Sequence, residues 1–227
     1  MNQHKVTQYF KYAIGEIILV MIGILLALQV NSWYQNSKDR KLELSLLKEL
    51  KQTIISDKEN YEWNVSNFEK IVSNSNYLDS IIRNRGEYSP KIDSAFGIIS
   101  AFSITEANYV PFDKITNMEN GIIKNDSLFN SMSNYYNFSK FISGVDRYFQ
   151  VGAYFRQQVY PKFFSGYRYG SYAKITNFEK ILNSDEIKVA IDYARNDSKY
   201  YLGRSKHRVE HASELIDIIN NELKRFD

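Results

Sequence analysis

The chain contains no cysteine. That excludes disulfides, thiolate metal sites and thiol catalysis. Proline occurs 3 times and glycine 10 times in 227 residues, too few to punctuate a many-turned β-sandwich. Between Gly23 and Gly86 there is no glycine, and no proline precedes Pro90. Long helices are the expectation. Runs of one charge sign are also missing. The formal net charge is +3, with lysines and acids interleaved, so no nucleic-acid footprint forms and no nucleic-acid partner is expected. No G-x-x-x-x-G-K, G-x-G-x-x-G or G-x-S-x-G motif occurs, so nucleotide binding and a serine elbow have no support. No catalytic, metal or cofactor-binding residue set is expected, and no cofactor.

The chain does have one long apolar run. From Ile17 to Leu28 every residue is Ile, Leu, Val, Met, Gly or Ala. Tyr12 to Val30 extends it, with Glu16 and Gln29 the polar interruptions. About 20 helical residues cross a hydrocarbon layer of roughly 30 Å. Tyr9, Phe10 and Tyr12 at one end, and Trp33 and Tyr34 at the other, read as aromatic belts. Glu16 lies about one turn inside the boundary. It can snorkel to the headgroups at the positive end of the helix dipole, or act as an intramembrane acid facing a partner helix. A cleaved signal peptide is the rival reading, but no good small-x-small cleavage site follows. Gly15, Gly23 and Ala27 fall on a four-residue stripe, the spacing that lets two helices approach closely.

The stretch YAIGEIILVMIGILLALQVNSW resembles the opening of an uncharacterised bacterial envelope family, domain of unknown function 6090. The matching positions include Tyr12, Gly15, Glu16, Gly23, Ala27, Gln29, Asn31 and Trp33. NGIIKNDSLFNSMSNYYN, residues 120 to 137, is similar to a second segment of that family. The resemblance brings no activity. It implies an inner-membrane protein with a cytoplasmic N-terminus and a periplasmic C-terminal domain. Charge points the other way: Lys38, Arg40, Lys41, Lys48 and Lys51 outnumber Lys5 and Lys11 across the span. Long domains, however, translocate largely regardless of flanking charge.

The expected fold is all-α. One N-terminal transmembrane helix continues into a long stalk helix, packed in an antiparallel helical bundle. The boundaries read as a tail over 1–11, a span over 12–34 and a soluble domain over 35–227. Long helices are expected at about 36–85, 126–159 and 185–226, and shorter ones at about 91–106, 112–120 and 175–182. Leu47, Leu50, Ile54, Tyr61, Phe68, Ile71, Leu78 and Ile82 follow a 3,4 spacing, with Asp57, Asn64 and Ser75 in seam positions between them. The last helix shows a similar seam: Leu202, Ser205, Val209, Ala212, Ile216, Ile219, Leu223 and Phe226. Gly86 reads as the C-cap of the stalk, Ser89-Pro90 and Ser184 as helix starts. KITN recurs at Lys114 and Lys174, either as a duplicated helical hairpin or as a chance reuse of one local shape.

HRVEH, residues 207 to 211, matches the inverted zinc-peptidase pattern, with His207 and His211 on one helix face and Glu210 alongside. Only 16 residues follow it, and Arg204, Lys206 and Arg208 add opposing charge. A solvated polar face is the preferred reading and a metal-dependent hydrolase the remote one. Tyr135 to Tyr172 holds 14 aromatic residues. Most suit a core, but the glycine-bearing loop with Phe164, Tyr167, Arg168, Tyr169 and Tyr172 is the candidate partner contact. The expectation is a non-enzymatic, membrane-anchored interaction or scaffold protein. Its partners are the lipid bilayer and a protein, including a homodimer through span and stalk. A single-span sensor or ligand-binding module is the alternative. The sequence names no small-molecule ligand.

Overall fold

The computed structural model describes residues 3–118, 121–146 and 151–226, with side chains from Ile14 onward and, in the fourth helix, as far as Ile142. The Lys5, Tyr9, Phe10, Lys11 and Tyr12 side chains, Asn120, Arg147, Tyr148 and Phe149 lie outside the described set.

Helix α1 runs without interruption from Gln3 to Arg83, 81 residues or roughly 120 Å. Its first part is long and apolar enough to cross a bilayer. The best 18-residue window has mean hydropathy 2.1, and none of it is covered by other described parts of the chain. Leu19, Leu25 and Trp33 are each more than half exposed. Leaving one such side chain in water forgoes roughly 1.5–3 kcal/mol of burial, so a sleeve of them calls for an apolar surround. Past Lys41, the same helix changes character. Leu47, Leu50, Ile54, Asp57, Tyr61, Asn64, Phe68, Ile71, Ser75, Leu78 and Ile82 are all buried, the heptad seam expected from the sequence, polar members included.

The seam is covered by α8, Asp185–Leu223, which runs back antiparallel along α1. Two ion pairs and a hydrogen bond fix the direction: Arg195 to Asp79 at 3.2 Å, Lys206 to Glu69 at 3.0 Å, and Arg40 Nη2 donating to the Arg225 carbonyl at 2.7 Å. Two apolar clusters lie along this pair. The cluster farther from the apolar sleeve joins Phe68 to Ile82 with α2 (Pro90–Ile99), a short helical run, a hairpin and the start of α8. The proximal cluster joins Leu46 to Tyr61 with α3 (Val110–Thr116), α4 (Asp126–Asp146) and the end of α8.

Several boundaries differ from the sequence reading. Arg85, not Gly86, takes the left-handed conformation that ends α1, with φ 48°; the Gly86 amide then reaches back to the Ile81 carbonyl at 2.9 Å. Helix α2 stops at Ile99, short of the expected 106, and residues 101–109 carry no regular secondary structure. Side chains of the long helices claim that backbone instead: Asn67 donates to the Ala101 carbonyl, Arg208 to the Thr105 carbonyl, and Asp57 accepts from the Asn108 amide. After residue 150 the chain is helical as α5 (Val151–Tyr154), widens to a π turn over Phe155–Val159, and closes as α6 (Tyr160–Phe163). The wide turn comes just ahead of Pro161, whose missing N–H and bulky ring disturb regular α-helical bonding.

The expected loop after Tyr160 is an antiparallel hairpin, β1 (Phe164–Arg168) with β2 (Tyr172–Ile175), pairing Arg168 with Tyr172 and Tyr167 with Ala173. Gly170 turns it at φ 66°. The short helix expected at 175–182 is therefore only α7, Phe178–Leu182. The two KITN stretches have different backbones. The first ends α3 with Asn117 at its C-cap. The second leaves β2 with Asn177 as the N-cap of α7.

Candidate functional site: a polar layer between two cores

The apolar clusters do not merge. Between them, α1, α4, α8 and the irregular 101–109 segment place polar side chains in the interior. Asp57 is 3% exposed. Its two carboxylate oxygens accept from the Asn108 amide at 3.1 and 3.2 Å, and the Tyr135 hydroxyl donates to Oδ2 at 3.3 Å. The Tyr135 and Tyr61 hydroxyls stand 3.5 Å apart. One turn above Tyr61, Asn64 donates to Thr105 Oγ1 at 2.7 Å. From the opposing helix, Arg208 is 2% exposed and stacks its guanidinium 5.2 Å from the Tyr61 ring centre. It donates from Nη1 to the Thr105 carbonyl at 3.2 Å, while Nε and Nη2 meet no acceptor among the described residues.

Burial pushes the Asp57 carboxyl above its ordinary value, against the Asn108 and Tyr135 hydrogen bonds and the charge of Arg208. Burial raises Tyr61, Tyr135 and Tyr136 as well, and the charge of Asp57 adds to it in all three; at Tyr61 the Tyr135 hydrogen bond opposes the rise, whereas at Tyr135 and Tyr136 the neighbouring tyrosines add to it. The tyrosines are thus hydrogen-bonding groups here, not acids. A polar cleft of about 590 Å³, lined by Gln52, Thr53, Ser56, Asn60, Glu106 and Asn108, opens beside Asp57. The layer can hold a proton, fix the register of α1 against α8, and offer a carboxylate to the cleft.

The sequence-predicted residues are scattered. Glu16 is exposed on the apolar sleeve, with no ion-pair partner among the described residues. A methyl group on Gly15 or Gly23 would meet nothing within 4 Å, and Ala27 is exposed, so the small-residue stripe is open. The five hairpin residues do come together. Phe164 turns inward, 5.1 Å from the Phe96 ring, whereas Tyr167, Arg168, Tyr169 and Tyr172 are exposed. In HRVEH, the His207 and His211 rings lie 4.0 Å apart and Phe138 packs on both, at 5.0 and 5.1 Å. Burial and the neighbouring imidazole lower His211 below its ordinary value. Among the described residues, no three His, Cys, Asp or Glu side chains gather as metal ligands.

Arg208 is the residue that sequence reasoning misplaced. It reads as surface charge beside two histidines, yet it fills the α8 seam. Ser205, Ala212 and Ile219 of the expected seam are buried, but the positions between them shift by one residue: Tyr201, Arg208, Leu215 and Glu222 are buried, where Leu202, Val209, Ile216 and Leu223 were expected. Those four apolar residues pack on the flanks of the clusters instead. Choosing the apolar residue at each step hid the inner, more polar stripe.

No family model matches the chain, and no curated protein or solved structure matches it.

Proposed function

We propose that the chain is a single-pass, membrane-anchored interaction or scaffold protein of the bacterial cell envelope, not an enzyme. In this reading α1 anchors it in the inner membrane with its N-terminus in the cytoplasm and its bundle in the periplasm. Membership of the domain of unknown function 6090 family rests on the matched positions from Tyr12 to Trp33.

The observation that carries the scaffold reading is the hairpin. Tyr167, Tyr169 and Tyr172 are 42%, 50% and 43% exposed, around an exposed Arg168. The strand beneath them is seated on backbone at Gly97. Amphipathic rings and an arginine on a stiff support suit a protein-binding surface. A photo-crosslinking residue at Tyr169 is expected to trap a discrete partner in intact cells. The same probe at Tyr193, exposed on α8, is expected to trap none. Equal labelling at both positions would sink the hairpin as the docking surface. Reporter fusions after Asp227 test the topology: activity only from the outward-active reporter is expected, and activity from the inward-active one would reverse the orientation.

A sensor remains a second reading because of one feature: the helix that leaves the apolar sleeve is the same helix that carries Asp57, Tyr61 and Asn64. A homodimer through the span would use Gly15, Gly23 and Ala27. The stalk seam is already occupied by α8 of the same chain, so a stalk dimer would need another face.

A further inference from the structure

The bundle has a second polar feature at its membrane-proximal end. The loop after residue 121 and the last turn of α8 close against α1 just past Trp33 and Tyr34. They leave a cleft of about 330 Å³, lined by residues that include Asp39, Arg40, Glu43, Lys124, Glu222 and Arg225. Arg40 lies seven residues beyond Trp33, roughly 10 Å along the helix. The polar zone of a bilayer leaflet is about 5–8 Å deep. The Arg40 backbone therefore stands a few ångströms beyond that zone when Trp33 marks its inner edge, and a helical arginine side chain, which leans toward the helix N-terminus, reaches back to headgroup level.

Its chemistry is balanced: three carboxylates face three cations. Glu43 and Glu222 are 6% and 9% exposed. Glu43 accepts from the Lys124 amide at 2.9 Å. Glu222 accepts from Asn125 Nδ2 at 2.6 Å and from Arg225 Nη1 at 3.0 Å. Arg40 is exposed, braced by its bond to the Arg225 carbonyl and by the Phe226 ring 5.1 Å away. Held there, four of its five N–H groups remain for another acceptor. Glu43 stands one turn further from the membrane, about 4.5 Å along the axis. A ligand with only negative or only positive charge would meet as much repulsion as attraction. A dipolar ligand with an anion near Arg40 and an ammonium one turn further out meets complementary charge at both ends.

We propose that this cleft binds the headgroup of a zwitterionic aminophospholipid. The phosphate bonds to Arg40 near the interface, and the primary ammonium reaches Asp39 and Glu43. The four bonds from phosphorus to nitrogen in an ethanolamine ester are of the same order as the Arg40-to-Glu43 rise. The proposal rests on the membrane-anchored reading of α1, and its test separates the two.

The full-length chain, released in mild detergent, is offered equal phosphatidylethanolamine and phosphatidylglycerol with matched acyl chains, and bound lipid is counted by native mass spectrometry. A preference of roughly tenfold for the ethanolamine lipid is expected, about the worth of one charge-assisted hydrogen bond. The surface double variant Asp39→Asn/Arg40→Gln is expected to lose it, and Lys48→Gln/Lys51→Gln to keep it, with helical melting curves unchanged in both. Equal binding of the two lipids, or a preference that survives Asp39→Asn/Arg40→Gln, overturns the proposal. Displacement of the lipid by millimolar glycerophosphoethanolamine would assign the cleft to a soluble phosphate ester and overturn the lipid source. Alkaline extraction of membranes reads the anchor independently. A chain that washes out fails the anchor, whereas an anchored chain without headgroup preference fails this proposal alone.

Discussion

Asp57 shows how one seam position can couple the bundle to pH. Its folded-state pKa is raised by burial, so the native chain holds this proton more tightly than the unfolded chain does. The resulting stability is fully present below the unfolded value near 4 and is lost as pH rises toward the folded value. Asp57→Asn keeps an acceptor for the Asn108 amide and cannot ionise. Urea unfolding from pH 4 to pH 7 is therefore expected to show the wild type losing stability relative to Asp57→Asn as pH rises. A difference that stays flat, or grows in favour of the wild type, would contradict the burial argument. The seam position of Asp57 was legible from its 3,4 spacing. Its partners were not, because Asn108 and Tyr135 lie 51 and 78 residues away and no local pattern links them.

At the scale of elements, the hairpin depends on Gly97. A Cβ on that residue would fall on the backbone nitrogen and Cα of Tyr172, which cannot swing aside as a side-chain tip can. Gly97→Ala is expected to lift β2 off α2 and cost about 3 kcal/mol or more, the upper range for overpacking. Gly203→Ala, in the middle of α8 with nothing within 4 Å, is expected to stabilise by about 0.5–1 kcal/mol. Thermal or denaturant unfolding of the two variants gives opposite signs. The sequence hides this hairpin well. Its only turn signal is Gly170, and its aromatic residues read equally as bundle core. The helices were easier: Ser184 caps α8 by accepting from the Ile187 amide at 3.2 Å, and Asn125 caps α4 by accepting from Leu128 at the same distance. Capping chemistry is local and legible. The end of α2 was not, because tertiary bonds from Asn67, Asp57 and Arg208 outbid helix continuation over residues 101–109.

At the scale of the whole molecule, the apolar sleeve and the bundle share one helix but, among the described residues, no packing. Burial begins in earnest at Glu43 and Leu46, and the apolar sleeve touches nothing described. A chain beginning at residue 36 is accordingly expected to be soluble, helical and cooperatively folded, with a melting temperature within a few degrees of the detergent-solubilised full chain. Circular dichroism of both decides it. A truncated chain that is molten or aggregated would mean that the sleeve supports the bundle. The all-α architecture and the long stalk were readable because a heptad over eleven buried positions is a long-range regularity written in one segment. The polar layer was only half readable, because its α8 half uses Arg208, which no hydrophobic pattern selects.

Because α8 returns to where α1 leaves the sleeve, Phe226 and the end of the sleeve are neighbours. The turn after Arg83 is the far end. Tension applied between anchor and C-terminus therefore peels the helix pair apart one layer at a time, starting at Arg40 and Arg225. Tension applied at the far turn runs along the helix axes and loads all the layers together. A partner that tugs at the hairpin, high on the rod, pulls on the molecule in its mechanically stronger direction. One that seizes the tail at Phe226 undoes it like a zip.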